Sequence, residues 1–136
     1  MEVTEIPFVK QIGITEEKSQ LTLAPALEVT NHIGTIHASA QFALAETASG
    51  LFLQEEFSDI KGEILPLLRS SAVKYKSPAT SRLKAVATVS DEIKEKFKEQ
   101  FFKRGRATIV VEVKLLDSDE VVTMVGEFVW FVQRLK

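Results

Sequence analysis

The residues best able to do chemistry lie in one stretch of twenty, Asn31 to Gly50, where an Asn, a His and a single carboxylate surround the start of an otherwise apolar helical pattern. The carboxylate is Glu46. Between Ala38 and Leu53 the pattern presents Ala, Phe, Leu and Gly on every side, so a glutamate here is expected to be desolvated and to need a partner or a use. Desolvation raises a carboxyl pKa and makes the ionised form a stronger base. Backbone amides at the first turn of the same helix lack intrahelical acceptors and sit at the positive end of its dipole. The Ala38 amide is therefore a donor for an oxygen that gains negative charge. A base that activates water and a donor that steadies an oxyanion are what attack on a carbonyl requires. The residues alone leave other readings open: Glu46 turned to solvent or paired with a lysine, His37 as a helix cap, and Asn31 as turn chemistry.

These side chains need a frame, and the rest of the pattern supplies one. Alternation over Ile12 to Glu16 and Gln20 to Ala24, joined through Glu17-Lys18-Ser19, predicts a hairpin ending at Pro25. The helix follows, from near His37 or Ala38 to Leu53. Its small residues Ala38, Ala40, Ala43, Ala45, Ala48 and Gly50 would let a sheet approach on several sides and wrap around it. After a charged connection over Glu55 to Glu63, Leu67 to Lys76 reads as a strand stopped by Ser77-Pro78, and Thr80 to Val89 as a strand with one solvated face. Ser90 caps a second helix with Asp91 and Glu92 in its first turn, Lys103 and Arg104 in its last, and Gly105 as its stop. Ile93, Phe97 and Phe101 recur along it as expected core contacts. Ala107 to Leu116 and Val121 to Val132 flank the turn Asp117-Ser118-Asp119-Glu120 as two long strands. The expected class is α+β: a curved antiparallel sheet of five or six strands, covered on one face by the first helix and on the other by a partner subunit.

Composition narrows the chemistry. At 136 residues, 45% hydrophobic and 26% charged, the chain reads as one globular domain. Its 17 basic against 19 acidic residues give a net charge of −2 with no basic tract, which argues against nucleic acid and membrane surfaces as partners. Zero cysteines exclude disulfides, thiolate catalysis and cysteine-based metal sites. His32 and His37 stand five apart across a turn without a ligand cluster, so no metal is expected. No serine sits in a nucleophile elbow, and there is no glycine-rich phosphate loop. Without an apolar run long enough to span a membrane, and with an acidic Met-Glu-Val-Thr-Glu start, a cytoplasmic location is the expectation.

The element order, together with Asn31 to Gly50, resembles the hotdog-fold thioesterases over most of the chain, in particular the phenylacetate-pathway-like and broader acyl-CoA thioesterase group. In that family an Asn, then a Gly, then His-Gly-Gly lead into the central helix, which carries Asp or Glu nine residues after the His. Asn31, Gly34, His37 and Glu46 stand at matching positions, and Tyr75-Lys76-Ser77-Pro78-Ala79 is similar to the family's strand ending. Ala38-Ser39 replaces the two glycines, which changes side chains but keeps the amides. A Ser or Thr that some members place opposite the acid has two candidates here, Ser70 and Ser71.

The resemblance implies a single hotdog domain over residues 1–136 that hydrolyses acyl-CoA or a related acyl thioester without a cofactor. Glu46 would activate water or act as nucleophile, and the Ala38 amide would polarise the thioester carbonyl. His37 would orient water or stabilise the leaving thiolate, and Asn31 would hold His37 or Glu46 in place. Gly34, Ala38, Ser39, Phe42, Ser70 and Ser71 would meet the substrate, with the acyl group along Phe42. It also implies a homodimer or dimer of dimers with sites at the subunit interface. A non-catalytic acyl-thioester binding protein on the same fold is the alternative, and dehydration of hydroxyacyl thioesters is a less favoured third.

Overall fold

The computed structural model describes residues 2–60 and 64–135. Buried and exposed residues alternate most sharply in β5 (Arg106–Leu116), where Ala107, Ile109, Val111, Val113 and Leu115 turn inward. That period of two fixes which face of the sheet meets the helix. β5 pairs with β6 (Val122–Arg134) across the turn expected at Asp117 to Glu120, and there the Asp117 carboxylate accepts the amides of Asp119 and Val121, each at 2.9 Å.

Four more strands complete the sheet: β1 (Ile14–Glu17), β2 (Gln20–Leu23), β3 (Ile64–Tyr75) and β4 (Leu83–Thr88). All pairings are antiparallel, in the order β1-β2-β4-β5-β6-β3. β3 is thus an edge strand twelve residues long, and most of its residues are exposed. It begins three residues before the expected start and includes Pro66, which an edge strand tolerates because one side of it makes no ladder bonds. β4 is shorter than expected, losing Thr80 to Arg82 and Val89 to loop.

The sheet curls around α2 (Ala38–Glu56), which buries Ala40, Gln41, Ala43, Leu44, Ala45, Ala48, Ser49 and Leu53. Small side chains on several sides of the helix allow that close approach. It runs three residues past the expected end at Leu53. Residues 61–63 of the charged connection lie outside the described residues.

α3 (Asp91–Arg104) has the termini expected of it: Ser90 Oγ accepts the Ile93 amide at 3.3 Å, and Gly105, at φ 74°, donates to the Phe101 carbonyl at 2.7 Å. Phe97 and Phe101 are buried, and the Phe97 ring lies tilted against that of Phe57 at the end of α2, ring centroids 4.7 Å apart. Ile93 departs from expectation and is 40% exposed, because the helix rests on the domain through its C-terminal half. The sequence pattern also gave no sign of α1 (Pro7–Ile12), a six-residue helix opened by proline and closed by Gly13 at φ 88°, which pushes β1 two residues later than expected.

Candidate active site

The approach to α2 is a loop built by Asn31. Its side-chain oxygen accepts the amides of Ile33 and Thr35 at 3.0 Å each, its amide nitrogen donates to Thr35 Oγ1 at 2.7 Å, and Gly34 takes the left-handed φ of 81° that the turn demands. Asn31 therefore spends its hydrogen bonds inside the loop, and it bonds to neither His37 nor Glu46. The loop is anchored by the Thr30–Ile36 bridge, by Ile36 N to the Ala79 carbonyl at 2.9 Å and by His37 N to the Val29 carbonyl at 2.7 Å.

His37 is the N-cap of α2. Its Nδ1 accepts the Ser39 amide at 2.9 Å, so that nitrogen holds a lone pair and the proton of the neutral ring sits on Nε2. The ring is exposed, leaving Nε2 free to meet a ligand. The Ala38 amide has no acceptor among the described residues, while the Ala38 carbonyl accepts the Tyr75 hydroxyl at 3.2 Å. Burial holds the Tyr75 pKa above its ordinary value, consistent with a phenol that keeps its proton and donates it here. Asn31, Thr35, Ala38, Tyr75 and Lys76 border a cavity of about 290 Å³ at this helix end. The Tyr75 contact escapes sequence reading because it joins residues 37 apart.

Glu46 lies two turns further along α2, half-buried, and burial raises its pKa above the ordinary 4.5. No side chain among the described residues bonds to or pairs with its carboxylate. At a rise of about 1.5 Å per residue, the eight residues from Ala38 to Glu46 span about 12 Å. A carbonyl oxygen bonded to the Ala38 amide lies within about 3 Å of that nitrogen, and an acid that activates water reaches the carbonyl carbon through that water.

Glu46 shares its helix stripe with Phe42 one turn before and Gly50 one turn after. Phe42 rests on Phe128 of β6, ring centroids 5.5 Å apart. Phe128 stands opposite Ser71 of β3, so Ser71 faces the helix side of the sheet. Ser70, displaced by the bulge between Leu68 and Ser70, stands opposite Val129 and faces the other side. One contact near Glu46 was absent from the sequence reading. Trp130 Nε1 donates to Ser49 Oγ at 2.8 Å, and Ser49 Oγ donates to the Glu46 carbonyl at 2.6 Å, tying β6 to the turn that carries the acid. Among the described residues no group of His, Cys, Asp or Glu is arranged to hold a metal ion. No helix of theirs is long and apolar enough to cross a membrane.

A curved six-stranded antiparallel sheet wrapped around a central helix defines this protein as a hotdog fold. Similar solved structures share it. A protein from Pseudomonas aeruginosa described as a probable thioesterase matches with a TM-score of 0.80 at 24% identity, over 97% of this chain and 91% of its own. A Bacillus halodurans protein solved with CoA matches with a TM-score of 0.73 at 19% identity, over 92% of this chain and 74% of its own. A Haemophilus influenzae thioesterase matches with a TM-score of 0.73 at 14% identity, over 98% of this chain and 87% of its own. At these identities the fold is what is shared. By sequence the chain belongs to the family described as Domain of unknown function (DUF4442), which matches residues 4–132. No curated protein sequence matches significantly.

Proposed function

We propose that the protein hydrolyses acyl-CoA thioesters at a site shared between two copies of the chain, Glu46 of one acting with the helix start of the other. The observation that carries this reading is a half-buried, unpartnered carboxylate about 12 Å along the same helix from a free N-terminal amide. Two copies related by a two-fold axis resolve that separation. If their α2 helices run antiparallel with the axis at Phe42, midway between Ala38 and Glu46, each acid meets the other copy's helix start. The exposed edge of β3, adjacent to β6 and to the Phe42 stripe, offers the pairing surface. Likeness to thioesterases and to a CoA-bound protein of the same fold supports the substrate class.

In this mechanism the thioester oxygen accepts the Ala38 N–H, which strengthens as negative charge develops on that oxygen. Ionised Glu46 takes a proton from water as the water oxygen attacks the carbonyl carbon. The tetrahedral intermediate collapses by breaking the C–S bond, and the CoA thiolate leaves, protonated by the Glu46 carboxyl or by solvent. His37 Nε2–H is placed to donate to substrate or water at the helix start. Asn31 positions the loop, and Ser71 lies on the face where the acyl carbonyl would sit.

Thiol release from a panel of acyl-CoAs tests the proposal. Glu46→Gln, which preserves shape and removes the base, is expected to lower kcat about 10²- to 10⁴-fold. A folded Glu46→Gln protein hydrolysing at the parent rate would refute it. Tight acyl-CoA binding by the parent without turnover would select the non-catalytic binding reading instead.

A further inference from the structure

Beyond Glu46 the helix stripe leads into a second cavity, of about 450 Å³, between the C-terminal half of α2 and the inner face of β3. Gly50, Leu53 and Phe57 come from the helix side, Ile64 and Pro66 from β3, and Phe97 of α3 also lines it. No charged side chain among the described residues lines it. Its volume falls within the range of about 300–1,000 Å³ usual for small-molecule sites.

The cavity begins at Gly50, about one helical turn beyond Glu46. Gly50 has no side chain to fill this near end of the cavity, and a Cβ built there would meet the Trp130 ring at an ordinary contact distance of 3.4 Å. From Glu46 to Phe57 the helix advances about 16 Å, which an extended alkyl chain covers with about thirteen carbons at roughly 1.25 Å per bond. A chain threaded there would exchange water for Leu53, Phe57, Ile64 and Phe97. A carboxylate or other charge at its far end would be desolvated without a partner.

We infer that this cavity receives the hydrocarbon end of an unbranched acyl group of about ten to fourteen carbons, which makes Gly50 and Ile64 determinants of chain length. The inference rests on the proposed thioester site at Glu46 and deepens it.

The first test is binding of alkyl-CoA thioethers of increasing length to the parent protein by calorimetry. These ligands have no carbonyl to hydrolyse. Affinity is expected to rise about fourfold per methylene up to about thirteen carbons and then to level off. Affinity independent of length, or greatest at two to four carbons, overturns the inference.

The second test is the ratio of affinities for decyl-CoA and butyl-CoA in Ile64→Trp, which fills the cavity from the edge strand, and Gly50→Val, which narrows its entrance. The ratio is expected to fall at least tenfold in each folded variant. A general loss of structure would weaken both ligands and leave the ratio in place, and an unchanged ratio in both folded variants overturns the assignment. Length-dependent binding without hydrolysis of any acyl-CoA removes the hydrolase reading and keeps the cavity. Hydrolysis combined with length-independent binding does the reverse.

Discussion

Replacing Ala38 by proline removes one hydrogen from the proposed site and little else. Proline is favoured at the first position of a helix, where its missing N–H has no intrahelical acceptor, and Ala38 occupies that position. The residue before a proline must be extended, and His37 already is, at φ −60° and ψ 141°. The Ala38 amide bonds to nothing among the described residues, and the Ala38 carbonyl remains available to Tyr75. Stability should therefore change by well under the roughly 3 kcal/mol that proline costs inside a helix. Activity should not escape. Loss of one oxyanion donor costs about 10²- to 10³-fold in kcat. A mixed population then tests the shared site. Unfolding and refolding Ala38→Pro chains with Glu46→Gln chains in equal amounts gives half mixed dimers, and each mixed dimer holds one site with both an intact amide and an intact acid. Thiol release should recover to about a quarter of the parent rate, from two preparations that are each nearly inactive. No recovery on mixing, with dimers formed, would refute the sharing of the site between copies. Full activity of Ala38→Pro alone would refute the role of the amide.

Three further outcomes follow from the same geometry. Because burial raises the Glu46 pKa, its ionisation opposes folding as pH rises through that raised value, and the cost vanishes below the ordinary 4.5, where folded and unfolded chains both carry the proton. Glu46→Gln should accordingly have a higher Tm than the parent at about pH 7 and converge with it at about pH 4, whereas the acid limb of parent activity should lie above 4.5. Gly34→Ala meets no atom within 4 Å but inherits a φ of 81°, so chemical denaturation should show a loss of about 1 kcal/mol, with Gly34→Asn intermediate. Gly126→Ala would put its Cβ 2.8 Å from Val73 Cγ1 and 2.9 Å from Phe128 Cε2, costing about 1–3 kcal/mol. Adding Val73→Ala should restore part of that loss, and failure to do so would mean that Phe128 alone sets the clash.

Elements whose ends are set locally were legible in the sequence. The caps of α3 at Ser90 and Gly105, the start of α2 and the Asp117 turn each depend on a few neighbouring residues, and each was placed correctly. Elements decided by tertiary position were read less well. Pro66 argues against a strand until β3 is known to be an edge, and Ile93 fits the apolar spacing of α3 although the helix docks only through Phe97 and Phe101. At the site, residue types and spacing drew attention to Glu46, His37 and the helix start. They left Asn31 open between turn chemistry, which its loop bonds now show, and a hold on His37 or Glu46, and they did not reveal that Tyr75 reaches back to Ala38. The separation along α2 needs only helical rise, yet in the proposed mechanism its meaning depends on a second molecule that no periodicity encodes.

In the proposed shared site, the exposed outer edge of β3 would tie output to protein concentration. If the missing half of each site is supplied by association, rate per molecule should decline on dilution with a midpoint at the dissociation constant of the pair. A thioester gripped by both copies would in turn draw them together, so abundant substrate would assemble its own hydrolase and scarcity would let it fall apart.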